Sequence, residues 1–290
     1  MGTILKVDDI NVYYGSIHAI KGISFEVEEG EVVTLIGANG AGKSTTIKLI
    51  LNLIRRDAGS IRVFGQDNLT EEAAVKERIG VVFDEPCFHD ILTPLQISGY
   101  MRGLYGRWDE TLFRRYLSAF SLPEKKPVKD FSRGMKMKLS IAAAMSHGAE
   151  LLILDEPTSG LDPLVRDEIL DIFLEFLQEE SHAILLSSHI TSDLDKIADT
   201  IALLDHGRLL FHEEKDALRD KYALVKGSRE QLAALEDRLI GLRENRFGFE
   251  GLCLRQDVRR LPELTAERPT IEEIMLFFTK SRMKNRRSDI

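Results

Sequence analysis

Cysteine is scarce: Cys87 and Cys253 stand far apart in a chain of 290 residues. That spacing argues against a disulfide framework and fits a reducing cytosol. Long apolar runs are missing too. The longest, around Val32–Ala38 and Leu151–Leu154, fall far short of the ~20 residues needed to span a bilayer. Met1–Lys6 lacks a charged-then-apolar signal layout, and Lys6 stands where a myristoylation pattern wants Ser or Thr. The chain is therefore expected to be cytoplasmic and not to enter a membrane by itself. Nor is there an excess of basic charge: 39 Lys and Arg face 47 Asp and Glu, a net charge of −8. Such a chain is a poor candidate for reading a nucleic-acid backbone. His18, His89, His147, His206 and His212 show no metal-ligand spacing with cysteines or acids, so no zinc site is predicted. His182 reads as an ordinary packed or exposed residue. Internal repeats and low-complexity segments are absent.

What is present is globular. The apolar share is 43% and the charged share 30%, near the average for folded domains. At about 150 residues per domain, the length suggests one large domain or a domain with an appendage. Ile23–Val27 alternates apolar and polar residues, and Val32–Ile36 is a nearly continuous β-branched run suited to a strand buried on both faces. Ser44–Ile54 has helical spacing; Ile61–Phe64 and Ile79–Phe83 are further strands. From about Thr93 to Ser146 the pattern is helical. Strand–helix alternation then resumes through Leu151–Leu154, Val165–Gln178, Ala183–Leu186, Thr191–Ala198 and Ile201–Leu204. This order predicts an α/β fold with a parallel sheet covered on both faces, interrupted by a helical subdomain over about 90–146. Past Tyr222 the pattern changes to mixed short elements and a final helix, Ile271–Lys280; the basic end, Arg282 to Arg287, reads as a solvated tail.

Between the β-branched strand and the helix after it lies Gly37-Ala38-Asn39-Gly40-Ala41-Gly42-Lys43-Ser44, a full G-x-x-x-x-G-K-[ST] pattern. Small residues let successive N–H groups turn inward around phosphate oxygens, and the helix N-terminus adds its positive end. In this pattern Lys43 bridges the β- and γ-phosphates and the Ser44 hydroxyl ligates Mg²⁺. Gly37, Asn39, Gly40, Ala41, Gly42, Lys43, Ser44 and the following Thr45 are the candidate nucleotide-binding residues. Downstream, Leu151–Leu154 delivers Asp155 and Glu156 to the C-terminal end of a strand, where ligands sit in open α/β sheets. Two adjacent acids repel each other unless a cation is near. Asp155 is the candidate Mg²⁺ ligand, and Glu156 the candidate base that orients and deprotonates water.

Further residues decide among phosphate-loop classes. Phe131-Ser132-Arg133-Gly134-Met135 opens a helix shortly before the acidic strand. It resembles the signature motif of ATP-binding cassette (ABC) ATPases. Ser159-Gly160-Leu161-Asp162 resembles that family's D-loop, Ser187-Ser188-His189 its switch histidine, Tyr14 the aromatic that stacks on adenine, and Ile79–Pro86 its Q-loop. The resemblance covers roughly residues 3–220. It implies a P-loop NTPase core with N-terminal antiparallel strands, an inserted α-helical subdomain and a small C-terminal α+β appendage, divided as 1–220 and 221–290. It further implies catalytic roles for Glu156, His189 and Lys43. Tyr14 contacts the nucleotide, as do Ser132, Gly134 and Asp162, with Ser132 presented to the ATP of a partner; Asp84 joins Ser44 and Asp155 at Mg²⁺. In the family two protomers sandwich two ATP molecules head to tail, an isologous arrangement. The expected partners are thus a second copy, or a paralogous ATPase subunit, and a separate transmembrane permease, with no nucleic acid. The chain is then peripheral on the inner face of the membrane.

Three positions depart from the family pattern. Asp84 replaces the usual Q-loop glutamine, Arg133 the signature's first glycine, and Met135 its glutamine. Arg133 either strengthens anion binding or points to solvent. Phe-Ser-Arg-Gly-Met-Lys, the acidic Q-loop and Pro269–Met275 resemble the ATPases of bacterial ABC-2-type exporters of antibiotics, peptides or other envelope-active compounds. The apolar stretch from Phe88 through Ile91, Leu92, Leu95, Tyr100, Met101, Leu104 and Tyr105 to Trp108 forms the helical subdomain's core, with a few members expected to stay exposed where a permease docks. A soluble ABC-type ATPase acting on nucleic acid or ribosomes is the alternative. Proteins of that kind tend to carry coiled-coil insertions, zinc hooks or tandem cassettes, none of which is visible here.

Overall fold

In the computed structural model, residues 2–85, 88–232, 236–258 and 264–287 are described. Pro86 and Cys87 lie outside the described residues, as do the side chains of Arg282 and Arg287. The chain begins with a long hairpin of β1 (Thr3–Tyr14) and β2 (Ile17–Glu28), antiparallel and irregular in register. There follow β3 (Val32–Ile36), α1 (Lys43–Ile50), β4 (Ala58–Val63), β5 (Gln66–Asp67), α2 (Glu72–Lys76) and β6 (Ile79–Val82). The helical insertion comprises α3 (Pro94–Leu104), α4 (Glu110–Ala119) and α5 (Arg133–Met145). Then come β7 (Leu151–Asp155), α6 (Pro163–Phe176), β8 (Ala183–Ser188), α7 (Thr191–Ile197), β9 (Thr200–Asp205) and β10 (Arg208–Glu214).

Two sheets result. The first, in order β2-β1-β4-β5, is the antiparallel sheet expected at the N-terminus. The second runs β10-β9-β3-β8-β7-β6; its pairs β9–β3, β3–β8, β8–β7 and β7–β6 are parallel. The strand period of two explains why its strands read as unbroken apolar runs. In β7, Leu151 and Ile153 enter a core shared with β1, β2 and α1, while Leu152 and Leu154 enter one shared with α5 and α6. Both faces are covered, so Leu151–Leu154 are all apolar, and the polar Asp155 comes only at the strand's C-terminal end.

Helix α1 ends earlier than its apolar spacing predicts. Leu51 closes it, and Asn52 turns left-handed at φ 53°, a conformation that asparagine tolerates. The helical insertion has its own core around Ile97, Phe113, Leu117 and Leu139. Each of its helices starts at a side-chain cap: Thr93 with Gln96 in a capping box, Asp109 on Leu112, and Ser132 on Met135.

The chain divides into two units, Met1–His212 and Glu213–Ile290. The expected boundary at 220 falls within α8 (Lys215–Lys221), which packs on elements of the second unit. That unit holds β11 (Tyr222–Gly227), α9 (Arg229–Leu232), β12 (Gly241–Asn245), β13 (Gly248–Leu254), α10 (Arg255–Val258), β14 (Thr265–Glu267) and α11 (Ile271–Arg287). Its antiparallel sheet runs β12-β13-β11-β14 over a core of Val225, Leu232, Phe249 and Cys253. Thr270 and Glu273 form a capping box that starts α11, which buries Ile271, Ile274 and Phe277. Gly241 lets that helix approach closely: a Cβ there would lie 2.4 Å from the Phe277 carbonyl oxygen.

Candidate functional site

The buried strand β3 ends at Gly37, where φ is 148° and a Cβ would sit 2.3 Å from the Leu204 carbonyl oxygen. Only glycine fits there. The loop then wraps into α1, whose N-cap is Gly42 at φ 115° with no capping side chain. The helix's first N–H groups thus remain available as anion donors. Together they form one wall of a cavity of about 500 Å³, lined by Asn39 through Thr45, Lys48, Asp84, Asp155, Glu156, Ser159 and His189.

Opposite the loop, the ends of β7 and β8 present the chemistry. Asp155, 7% exposed, accepts from Ser44 Oγ at 3.1 Å and from Ser187 Oγ at 2.6 Å. Glu156 turns the other way because its backbone is left-handed, φ 52°, a strained state for a non-glycine residue. Its N–H is held by both the carbonyl and the hydroxyl of Ser187, each at 3.1 Å. Glu156 Oε2 lies 2.6 Å from His189 Nδ1, and its Oε1 lies 3.3 Å from Lys43 Nζ. Lys43, itself buried, also donates to the Gly37 carbonyl at 2.9 Å. The two neighbouring acids are therefore separated: Asp155 is met by hydroxyls, Glu156 by a cation and an imidazole. The arrangement offers a cation and helix N–H groups to an anion and a carboxylate able to act as a base.

Ser44 and Asp155 supply oxygen donors, as a hard divalent cation requires. Among the described residues no group of three or more His, Cys, Asp or Glu could hold a metal. The donor set fits Mg²⁺ only as one completed by phosphate and water, the usual habit of that ion. Asp84 lines the same cavity, but its carboxylate is engaged by Arg133 Nη2 at 2.5 Å. Two of the positions that depart from the family pattern thus contact each other. Arg133 also lies over Gly160, whose missing side chain leaves room for the guanidinium.

The remaining expected residues lie elsewhere. Ser132, Gly134 and Asp162 line a separate recess of about 270 Å³ with Arg133, Met135, Lys138 and Leu161. Ser132 caps α5 and Asp162 caps α6. Tyr14 is 53% exposed and lines neither cavity, whereas its neighbour Tyr13 stacks on His18 with ring centres 4.1 Å apart. Sequence reasoning left Ser187 without a role, although it is the residue that holds both Asp155 and the Glu156 backbone. Its signal was the hydroxyl pair ending an otherwise apolar strand. Buried Asp193 also went unnoticed; its hydroxyl partner Thr158 follows Glu156 by two residues. Burial pushes the Asp193 carboxyl above its ordinary value, against the Thr158 hydrogen bond and the nearby Arg166 charge.

Comparison with known proteins shows the family. The ABC transporter family model matches residues 20–159. The chain is 35% identical over 226 residues to the bacitracin transport ATP-binding protein BcrA of Bacillus licheniformis, covering 76% of this chain and 73% of that one. It is 37% identical over 212 residues to the linearmycin resistance ATP-binding protein LnrL of Bacillus subtilis, covering 71% and 68%. Among solved structures, an ATP-binding subunit of an ABC transporter superposes with a TM-score of 0.69 at 31% identity, covering 74% of this chain and 92% of that one. No helix among the described residues is long and apolar enough to cross a membrane. Fold, cavity and relatives converge: the chain belongs to the ABC transporter family, as an ATP-binding subunit whose ATP hydrolysis is coupled to transport.

Proposed function

We propose that two copies of this chain close head to tail around ATP and drive a separate permease that exports an antibiotic, peptide or other envelope-active compound. The observation that carries the reading is the division of the ligand-binding residues between two recesses. The phosphate loop, Lys43, Glu156 and His189 face one cavity, while Ser132, Gly134 and Asp162 face another. A single chain therefore offers half of two sites, and a two-fold pair would join them. The exporter class follows from the bacitracin- and linearmycin-related relatives.

Within each site Lys43 and the loop N–H groups neutralise phosphate charge. Glu156 orients and deprotonates the attacking water, and His189 holds the Glu156 carboxylate and faces the γ-phosphate. Ser44 and Asp155 would hold Mg²⁺, which would supply neutralisation of phosphate charge; Asp84 would join them on leaving Arg133. Tyr14, half exposed at the end of β1, offers its ring to the adenine. Ile91, Tyr100 and Leu104 remain 65–78% exposed on the helical insertion while Phe88, Leu92, Met101 and Trp108 pack inward. This exposed trio is the surface for the permease, and docking there would hold the chain at the inner face of the membrane.

Ser132→Asp tests the pairing. Aspartate caps α5 as well as serine does, but its charge opposes a partner's phosphate. ATP binding to the isolated chain should persist, while ATP-dependent dimerisation on a sizing column and phosphate release should both fall at least tenfold. Normal dimerisation and turnover in that variant would sink the head-to-tail reading.

A further inference from the structure

The hydrogen bond between His189 and Glu156 has a second, deeper counterpart. Two residues after Glu156, Thr158 is 2% exposed; four residues after His189, Asp193 is 1% exposed. Thr158 Oγ1 donates to Asp193 Oδ2 at 2.6 Å. The loop that carries the base and the loop that carries the histidine are thus tied twice, once at the cavity wall and once inside the protein.

The other oxygen of Asp193 faces a different motif. Arg166 Nε lies 3.9 Å from Asp193 Oδ1, beyond hydrogen-bond reach, and is buried without a partner. The same guanidinium reaches the Leu161 carbonyl through Nη2 at a stretched 3.5 Å. Leu161 lines the second recess beside Asp162 and Ser132. The guanidinium is partly solvent-exposed, but its Nε–H is buried and lies less than about 1 Å beyond a good hydrogen bond, so it gains by a small approach to Asp193. The other pairs between α6 and α7, Lys196 with Asp167 and Asp171, have solvent-exposed carboxylates and are weakened by screening.

We propose that Asp193 is a positioning residue for hydrolysis: through Thr158 it sets the separation of Glu156 and His189, and through Arg166 it links that separation to Leu161 at the second recess. Occupation of the second recess moves the Leu161–Arg166 turn, completes the Arg166–Asp193 bond and firms the base and histidine on the opposite side. One recess thereby reports its state to the other within a single chain. The inference rests on Glu156 and His189 acting in hydrolysis, as proposed above.

The test uses the full chain and four single variants, Asp193→Asn, Asp193→Ala, Thr158→Val and Arg166→Ala, with one double variant. Turnover, KM for ATP, the Hill coefficient for ATP and the melting temperature are measured for each. A misplacement of about 1 Å costs up to 10²-fold in rate. Thr158→Val and Asp193→Ala should therefore each lower kcat about tenfold or more while KM stays within twofold. The Thr158→Val/Asp193→Ala double variant should be no slower than the slower single one, because the pair acts as a unit. Arg166→Ala and Asp193→Asn should reduce the Hill coefficient toward 1. Asp193→Asn keeps the shape and the Thr158 bond, so the inference remains testable if Asp193→Ala folds poorly. Wild-type turnover in Thr158→Val, or an unchanged Hill coefficient in Asp193→Asn and Arg166→Ala, would overturn it, as would multiplicative effects in the double variant. A parallel collapse of KM and melting temperature would show a purely structural role. Glu156→Gln is run alongside: if that variant is inactive and the Asp193 variants are normal, only the present inference fails.

Discussion

Replacing Glu156 with glutamine removes one negative charge from the cavity while keeping the side chain's length and its left-handed backbone position, φ 52°. Two contacts change. Lys43 loses the opposite charge 3.3 Å away but keeps the Gly37 carbonyl at 2.9 Å. His189, 2.6 Å from Oε2, faces an amide in place of a carboxylate. The fold around the site is untouched, since the Glu156 N–H is held by Ser187 through backbone atoms that the substitution does not alter. The chemical loss is that of a positioned general base, roughly 10²–10⁴ in rate, or about 2.7–5.4 kcal/mol of transition-state stabilisation. ATP affinity should hold or improve, because a carboxylate is removed from the neighbourhood of the γ-phosphate. The assay is phosphate release at saturating ATP and Mg²⁺, with dimer content followed on a sizing column. The expected outcome is an ATP-bound dimer that accumulates and turns over at least a hundredfold more slowly than the parent. Hydrolysis within threefold of the parent would refute the assignment of Glu156 and show that the base lies elsewhere.

Other perturbations follow from equally local geometry. Gly37→Ala places a methyl against the Leu204 carbonyl in a left-handed position; a loss of roughly 3 kcal/mol is expected, read as a lower melting temperature together with lost ATP binding. Arg133→Gly frees Asp84 from its ion pair, both side chains being about half exposed. An exposed pair is worth at most ~1 kcal/mol, so the half-saturating Mg²⁺ concentration should fall by up to about fivefold, and not at all in an Asp84→Asn background. Glu150 makes a two-pronged contact with Arg78, at 2.9 and 2.5 Å, which holds its carboxyl below the ordinary value. A lowered carboxyl pKa stabilises the fold above the unfolded value, and that stability is lost as pH falls through the folded one. Glu150→Gln should therefore cost about 1–2 kcal/mol at neutral pH, a difference that shrinks in urea melts taken toward pH 3.

Legibility in the sequence tracked how local the cause was. The phosphate loop was plain because its chemistry demands small residues, a lysine and a hydroxyl at consecutive positions between a strand and a helix, and Gly37–Ser44 supplies them in order. The central strands were plain because burial on both faces favours near-continuous apolar runs, as in Leu151–Leu154. Helix ends were less so: α1 closes at Leu51, and the left-handed Asn52 that follows is concealed by the apolar spacing beyond it. The hairpin β1–β2 is far longer than Ile23–Val27 suggests, because its ladder spans register shifts that break the alternation.

What the sequence by itself determined was therefore the inventory: a phosphate loop, an acidic strand end, a serine-led helix start and a histidine after a strand, in an order that one family uses. Only the tertiary structure decided their grouping. It assigned Ser132, Gly134 and Asp162 to a second recess, put Arg133 on Asp84, and joined Thr158 to Asp193 across 35 residues. The physical reason is the parallel sheet. Each crossover helix returns the next strand to the same edge, so residues far apart in the chain meet at the strands' C-terminal ends at separations no spacing rule encodes.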